Sequence, residues 1–326
     1  MNASKNSAAW DSGKKILQAR KYFLFFIFLL QHMQHSFRGT GVAIVTPFDA
    51  AGQIDFPSLQ KLVHFLADGG VEYLVVLGTT GESATLSKEE KQQVFSYVAE
   101  ANNERLPLIA GIGGNDTRAV ISDLKSVNLE GYSAVLSVSP YYNKPSQEGL
   151  YQHYKAISEH STKPVMLYNV PGRTGMNVSA ETTLRIAADC KNVFATKEAS
   201  GNFEQIMQII KYKPAGFEVI SGDDGIALPM IAAGAIGVIS VVANAYPKIF
   251  SDMVRFCLAG DFVSARPLHY QLSDIIPTLF SEGSPAGVKA YMNELGICSA
   301  HARLPVVNVS DALLGKIRRY AQALGE

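Results

Sequence analysis

What most constrains this chain is a rhythm. Short β-branched, apolar runs alternate with longer amphipathic stretches from Gly39 onward. The runs fall at residues 42–47, 73–77, 108–112, 134–139, 165–170, 194–197, 218–221 and 237–242, with starts 19 to 35 residues apart. That spacing holds one strand and one crossover helix. Most runs are apolar throughout rather than alternating, as parallel strands covered on both faces require. One helix start is explicit: Ser87-Lys88-Glu89-Glu90 fits a capping box, followed by Val94, Phe95 and Val98 on one face. Eight such units in roughly 205 residues predict an α/β fold, a closed (β/α)8 TIM barrel over residues 38–244. Residues 245–326 show no comparable strand and predict a C-terminal helical region. Its last helix carries the stripe Leu313, Ile317, Tyr320 and Leu324.

In such a barrel the chemistry sits at the C-terminal ends of the strands, so the residues closing each run are the candidates. The second run ends in Gly78-Thr79-Thr80-Gly81-Glu82-Ser83. Two glycines let backbone approach a ligand, and the hydroxyls with free amides can hold a carboxylate; the ordinary alternative is a tight βα turn. Neither a P-loop lysine nor a dinucleotide glycine pattern is present, since Asp116 stands where the last glycine after Gly111 and Gly113 would fall. The fourth ends in Ser139-Pro140-Tyr141-Tyr142-Asn143, where paired tyrosines also suit packing. The fifth ends in Tyr168-Asn169-Val170-Pro171-Gly172-Arg173, offering a phenol for proton relay and a guanidinium for a carboxylate, or a structural Tyr with a solvated Arg.

Lys197 is the most telling residue. It follows Val193, Phe194 and Ala195, so it projects from a buried strand into the barrel mouth. Desolvation there lowers the pKa and supplies the neutral amine that attacks carbonyls. Pairing with Glu198 is geometrically poor, because adjacent strand residues face opposite ways. The seventh run ends in Ser221-Gly222-Asp223-Asp224. Tandem aspartates invite a metal, but no histidine lies near them, so helix capping is the expectation and no metal is assigned.

Lys+Arg and Asp+Glu both number 29, which gives no bulk field for nucleic acid or an anionic membrane. The three cysteines, Cys190, Cys257 and Cys298, form no CxxC pair and suit a reducing, cytoplasmic compartment. Residues 1–37 read differently. Lys14, Lys15, Arg20 and Lys21 precede the apolar run YFLFFIFLL, like a signal sequence without its cleavage site. The run is about half of the ~20 residues needed to span a bilayer. The favoured reading starts the protein at Met33, and a membrane role follows only if the upstream segment is translated.

The set GTTGES, SPYYNKPSQEGLYQHY, YNVPGRTG, KEASGN and SGDD, in this order, resembles the dihydrodipicolinate synthase / N-acetylneuraminate lyase family, over nearly everything but the N-terminal extension. The resemblance favours the synthase branch and implies condensation of pyruvate with L-aspartate-4-semialdehyde in lysine and diaminopimelate biosynthesis, without metal or organic cofactor. It implies that Lys197 forms the Schiff base and Tyr168 moves protons. Thr79 would bridge Tyr168 to Tyr142, which in the family completes a neighbouring subunit's site. Thr80 would contact the pyruvate carboxylate, Ile239 would contribute a backbone contact, and Arg173 would receive the semialdehyde carboxylate. A homo-oligomer, a dimer of dimers, is implied with these roles. Sialate lyases and keto-deoxy-sugar-acid aldolases are the nearest rivals. The lyases usually carry Ser where Thr79 stands and lack the Arg173 equivalent. A non-catalytic binding barrel is disfavoured because every proposed catalytic position is filled. The resemblance further implies that lysine inhibits weakly or not at all: Ser83, Ala84, Asn115 and Tyr141 of the family's effector site persist, but its glutamate falls at Ala119 and its histidines at Lys88 and Lys91.

Overall fold

A computed structural model describes residues 37–324. Its eight strands are β1 (Gly39–Ala43), β2 (Tyr73–Val76), β3 (Leu108–Gly111), β4 (Ala134–Val138), β5 (Val165–Asn169), β6 (Val193–Glu198), β7 (Glu218–Ser221) and β8 (Gly237–Ser240). They close into one barrel in sequence order, each paired in parallel with its neighbours and β1 with β8. Helices α1 (Phe56–Asp68), α2 (Lys88–Asn102), α3 (Thr117–Ser126), α4 (Gln147–His160), α5 (Ala180–Asp189), α6 (Phe203–Tyr212), α7 (Ala227–Ala232) and α8 (Pro247–Leu258) follow the strands in turn. The expected TIM barrel is therefore observed. The α2 capping box forms as the sequence predicts: Ser87 Oγ accepts from Glu90 N, and Glu90 Oε2 accepts from Ser87 N, a feature worth about 1 kcal/mol.

Beyond α8, which packs on β1 and β8, the chain continues through α9 (Phe262–Ser273), α10 (Ala286–Glu294) and α11 (Asp311–Leu324). Leu313, Ile317 and Ala321 bury the inner face of α11, with Tyr320 and Leu324 packed alongside. The signal-like run at 22–30 lies outside the described residues. Among the described residues no helix is long and apolar enough to cross a membrane, and Cys190, Cys257 and Cys298 are buried and free.

Two sets of apolar side chains alternate along the strands. Val42, Leu74, Val76, Leu108, Ala110, Val135, Val165, Leu167, Val193, Val219 and Val238 belong to the core shared with the helices. The register puts Tyr73, Met166, Tyr168 and Ile239 on the other, inner face, as a period of two demands. At the floor, the Phe37 ring stands 5.3 Å from that of Tyr73 and 5.5 Å from that of Phe194.

The first strand differs from expectation. It starts at Gly39, three residues before the β-branched run, because close packing there excludes side chains. A Cβ on Gly41 would lie 2.1 Å from the Tyr73 ring, and one on Gly39, at φ 113°, 2.6 Å from the Glu72 carboxylate. Glycines that read as punctuation are here strand residues.

Candidate active site

The site begins with a slip in register. On β5 and β6, Val165 pairs with Val193, but Met166 pairs with Ala195, so β6 carries one residue more. This bulge leaves Phe194 unmatched and aligns Tyr168 with Lys197 and Asn169 with Glu198. Continued in the lower register, Tyr168 would pair with Thr196, and Lys197 would face the helices. Instead Lys197 shares the interior face with Tyr168, and its Nζ stands 4.3 Å from the Tyr168 ring centroid.

Lys197 is 5% exposed. Burial drives its pKa down to about 7, against an upward pull from Asp224 and with a further downward push from Arg173. Tyr168 is also buried, which raises its pKa, partly countered by Arg173 and by its hydrogen bond with Thr79. The phenol therefore rests as a neutral acid beside an amine that is half unprotonated near neutrality.

Glu198 faces the other way, as the strand's alternation requires. Its carboxylate oxygens each accept from Asn169 Nδ2 at 3.1 Å, and Ser200 N donates at 2.8 Å. Burial pushes its pKa up while these bonds pull it down. The group braces the tops of β5 and β6 rather than pairing with Lys197.

Thr79 and Thr80 occupy a one-turn 3-10 helix (Thr79–Gly81) directly after β2, Thr79 exposed and Thr80 buried. Gly81 N donates to Gly78 O at 3.0 Å, and Thr46 Oγ1 fastens Gly81 O at 2.7 Å. Ile239 lies on β8 beside Gly41 and is 1% exposed. Arg173 lies on a one-turn helix (Pro171–Thr174) after β5, its side chain exposed at the barrel mouth. Tyr142, in the loop after β4, has φ 74° and is 88% exposed. Six of the seven proposed residues thus converge on the C-terminal mouth of one chain, whereas Tyr142 turns to solvent. A cavity of about 570 Å³ connects Thr79 and Tyr168 with Ser83, Lys88 and Lys91 toward α2 and α3.

The profile of the Dihydrodipicolinate synthetase family matches residues 36–324. The chain belongs to this family. A 4-hydroxy-tetrahydrodipicolinate synthase of Parabacteroides distasonis is 52% identical over 287 residues, which is 88% of this chain and 97% of that protein. The crystal structure of dihydrodipicolinate synthase from Thermotoga maritima superposes with a TM-score of 0.87 at 41% identity, covering 89% of this chain and 99% of that one. The Acinetobacter baumannii enzyme, crystallised in complex with pyruvate, gives 0.86 at 40% identity over 88% and 99%.

Two further residues of this family member shape the site and escaped the sequence reading. Asp224 does not cap α7, whose N-terminus has no side-chain cap. Its Oδ2 instead accepts from Val241 N at 3.0 Å and Val242 N at 2.8 Å, beyond β8. Burial lifts its pKa to about 6, against the downward pull of hydrogen bonds from Val242 N, the Ser240 hydroxyl and Val241 N. Asp223 makes only a local turn, accepting from Gly225 N at 2.9 Å. Gly222 makes room for the lysine: a Cβ there would sit 3.0 Å from Lys197 Cε and 2.8 Å from Ala199 Cβ. Its neighbour relation to Lys197, one strand away, was the available signal.

Proposed function

We propose that this chain is a lyase that condenses pyruvate with L-aspartate-4-semialdehyde to 4-hydroxy-tetrahydrodipicolinate, a step in lysine and diaminopimelate biosynthesis, through a Schiff base on Lys197. The observation that carries the reading is the buried amine of Lys197, held at 4.3 Å from the Tyr168 ring in a family of that name. The neutral amine adds to the pyruvate ketone, and loss of water leaves a protonated imine. That iminium draws electrons from the methyl carbon, which loses a proton to become an enamine. The enamine carbon attacks the aldehyde, forming the carbon–carbon bond, and the alkoxide takes up a proton. The semialdehyde's amino group then displaces Lys197 from the imine carbon and closes the ring.

Each residue has a part. Tyr168, neutral and bonded to Thr79, gives and takes the protons. Thr80 holds the pyruvate carboxylate, with the backbone at Ile239 two strands round the barrel, across β1. Arg173 receives the semialdehyde carboxylate, for which its planar fork is suited. Tyr142 completes the relay in a neighbouring subunit: an aromatic fixed at positive φ and 88% exposed is arranged for a partner surface. The active form is a homo-oligomer, a dimer of dimers. Free cysteines fit a reducing cytoplasm. Pyruvate with borohydride should label Lys197 irreversibly, and peptide mapping reads the position. Labelling at Lys144 or Lys289, or undiminished labelling of a Lys197→Ala variant, would refute the assignment.

A further inference from the structure

The motif residue left without a role is Glu82, directly after the threonine turn. It is 5% exposed and adopts a left-handed conformation, φ 52° and ψ 35°, which a side chain with a Cβ rarely takes. Its amide donates to Thr79 O at 3.1 Å, closing the turn that carries Thr79 and Thr80. Its carbonyl accepts from Thr85 N and from Thr85 Oγ1, each at 3.0 Å. The residue is thus the hinge on which the turn closes.

Its carboxylate is gripped from the far end of the chain. Oε1 accepts from Lys289 Nζ on α10, 207 residues away, in a pair whose side chains are 0% and 3% exposed. Oε2 accepts from Arg303 N at 3.0 Å. Lys289 Nζ also donates to His301 O at 2.8 Å and stands 4.3 Å from the Phe48 ring centroid. Arg303 covers the same ring at 4.5 Å, donates to Gly52 O at 2.8 Å and Thr85 O at 3.0 Å, and grips both Glu90 oxygens at 2.9 and 2.6 Å. A buried ion pair gains little over well-packed apolar groups of the same size, because desolvation offsets the attraction. What it adds is direction, since it accepts one arrangement of the hinge. A left-handed glutamate fixed by a distant lysine is a more demanding solution than a glycine, which takes that conformation freely.

We infer that Glu82 is a positioning residue for pyruvate: clamped by Lys289 and the Arg303 amide, it sets the Thr79–Gly81 turn and so couples segment 286–303 to the carboxylate site. The inference rests on the reading that Thr80 binds the pyruvate carboxylate. Arg173 stands on a different loop, after β5, and lies outside the clamp. Loosening the clamp therefore weakens pyruvate and spares the semialdehyde. A fault of folding would instead lower the active fraction and reduce kcat without separating the two KM values.

The test uses the full-length protein, first shown to trap pyruvate at Lys197 with borohydride. Failure of trapping overturns the reading of the site and this inference with it. Glu82→Gly/Lys289→Met removes both buried charges and relaxes the backbone. It should raise the pyruvate KM by about tenfold or more, with the semialdehyde KM within about twofold of wild type. Glu82→Gln/Lys289→Met keeps an acceptor for the Arg303 amide and should recover part of that loss. A pyruvate KM within about twofold of wild type in both variants, or KM values that rise together, overturns the inference. The wild-type protein gives an independent answer by amide hydrogen exchange. Coupling is reciprocal, so saturating pyruvate should slow exchange in segment 286–303 as well as in the turn. Unchanged exchange in 286–303 overturns the inference whatever the variants do.

Discussion

The pKa of Lys197 makes the sharpest demand on the proposed chemistry. Its ammonium loses its proton at about 7 rather than the ordinary 10.5. The difference, 10.5 − 7, is about 3.5 units, or roughly 5 kcal/mol against the buried ammonium. At pH 7 about half of the amine is free, against roughly one part in three thousand for an unperturbed lysine. The initial rate of pyruvate trapping by cyanoborohydride should therefore climb with pH and level off above about 7. Two substitutions fix the sign. Asp224 favours the ammonium, so Asp224→Asn should move the inflection to lower pH. Arg173 disfavours it, so Arg173→Ala should move the inflection up. Asp224 itself titrates at about 6, so the wild-type rise is broadened by two coupled groups, and Asp224→Asn should sharpen it. Linkage gives a check without substrate. Between about 7 and 10.5 the unfolded chain binds more protons at this lysine than the folded one, so stability rises with pH across that window. Lys197→Met should flatten that part of the curve and gain stability at neutral pH. An inflection near 10, or an Asp224→Asn shift toward higher pH, would refute the electrostatic account.

The remaining predictions are simpler. Gly222→Ala places a methyl 3.0 Å from Lys197 Cε and 2.8 Å from Ala199 Cβ; overpacking of this kind costs about 1–3 kcal/mol, and displacing the amine should cut kcat by about a hundredfold. Steady-state kinetics and thermal melting read the two effects separately. Arg173→Ala should bind pyruvate nearly normally and lose about tenfold or more in kcat/KM for the semialdehyde, an expectation defeated by unchanged efficiency with that substrate. L-lysine should inhibit weakly or not at all, because Lys91 stands with Glu89 in the cavity beside Ser83 and Lys88 already holds Asp123 at 3.3 Å, which leaves no free carboxylate surplus for a cation; like-charge terms there are on the order of 1 kcal/mol, and strong inhibition at sub-millimolar L-lysine would oppose this. Tyr142→Phe should lower kcat only if subunits share sites, so sedimentation showing a fully active monomer would remove that role.

The barrel was legible because its signals are local. Buried parallel strands must be apolar over several consecutive residues, and an α2 cap is written within four positions. Lys197 stood out because a cation inside such a run needs a reason. What escaped was relational. The start of β1 was hidden because Gly39 and Gly41 are chosen by Glu72 and Tyr73 on the neighbouring segment. Asp224 looks like a cap in sequence, yet its partners are the amides of Val241 and Val242. Glu82 cannot announce its burial when the lysine that neutralises it stands 207 residues away. The slip between β5 and β6 belongs to a pair of strands, so neither strand alone reveals it.

That slip separates two kinds of change at β6. Substitutions at Phe194 alter how the floor packs around Phe37, those at Val193 alter the core shared with the helices, and the amine still points inward. Removing one residue between Val193 and Lys197 would restore equal counting with β5 and keep Lys197 opposite Tyr168, whereas closing the slip at full length would turn the lysine outward, toward the pocket where Asn169 holds Glu198. The strand is thus under a constraint of pairing more than of length. On this scaffold a deleted codon in the segment leaves the catalytic face inward, and a slip of pairing is what inverts it.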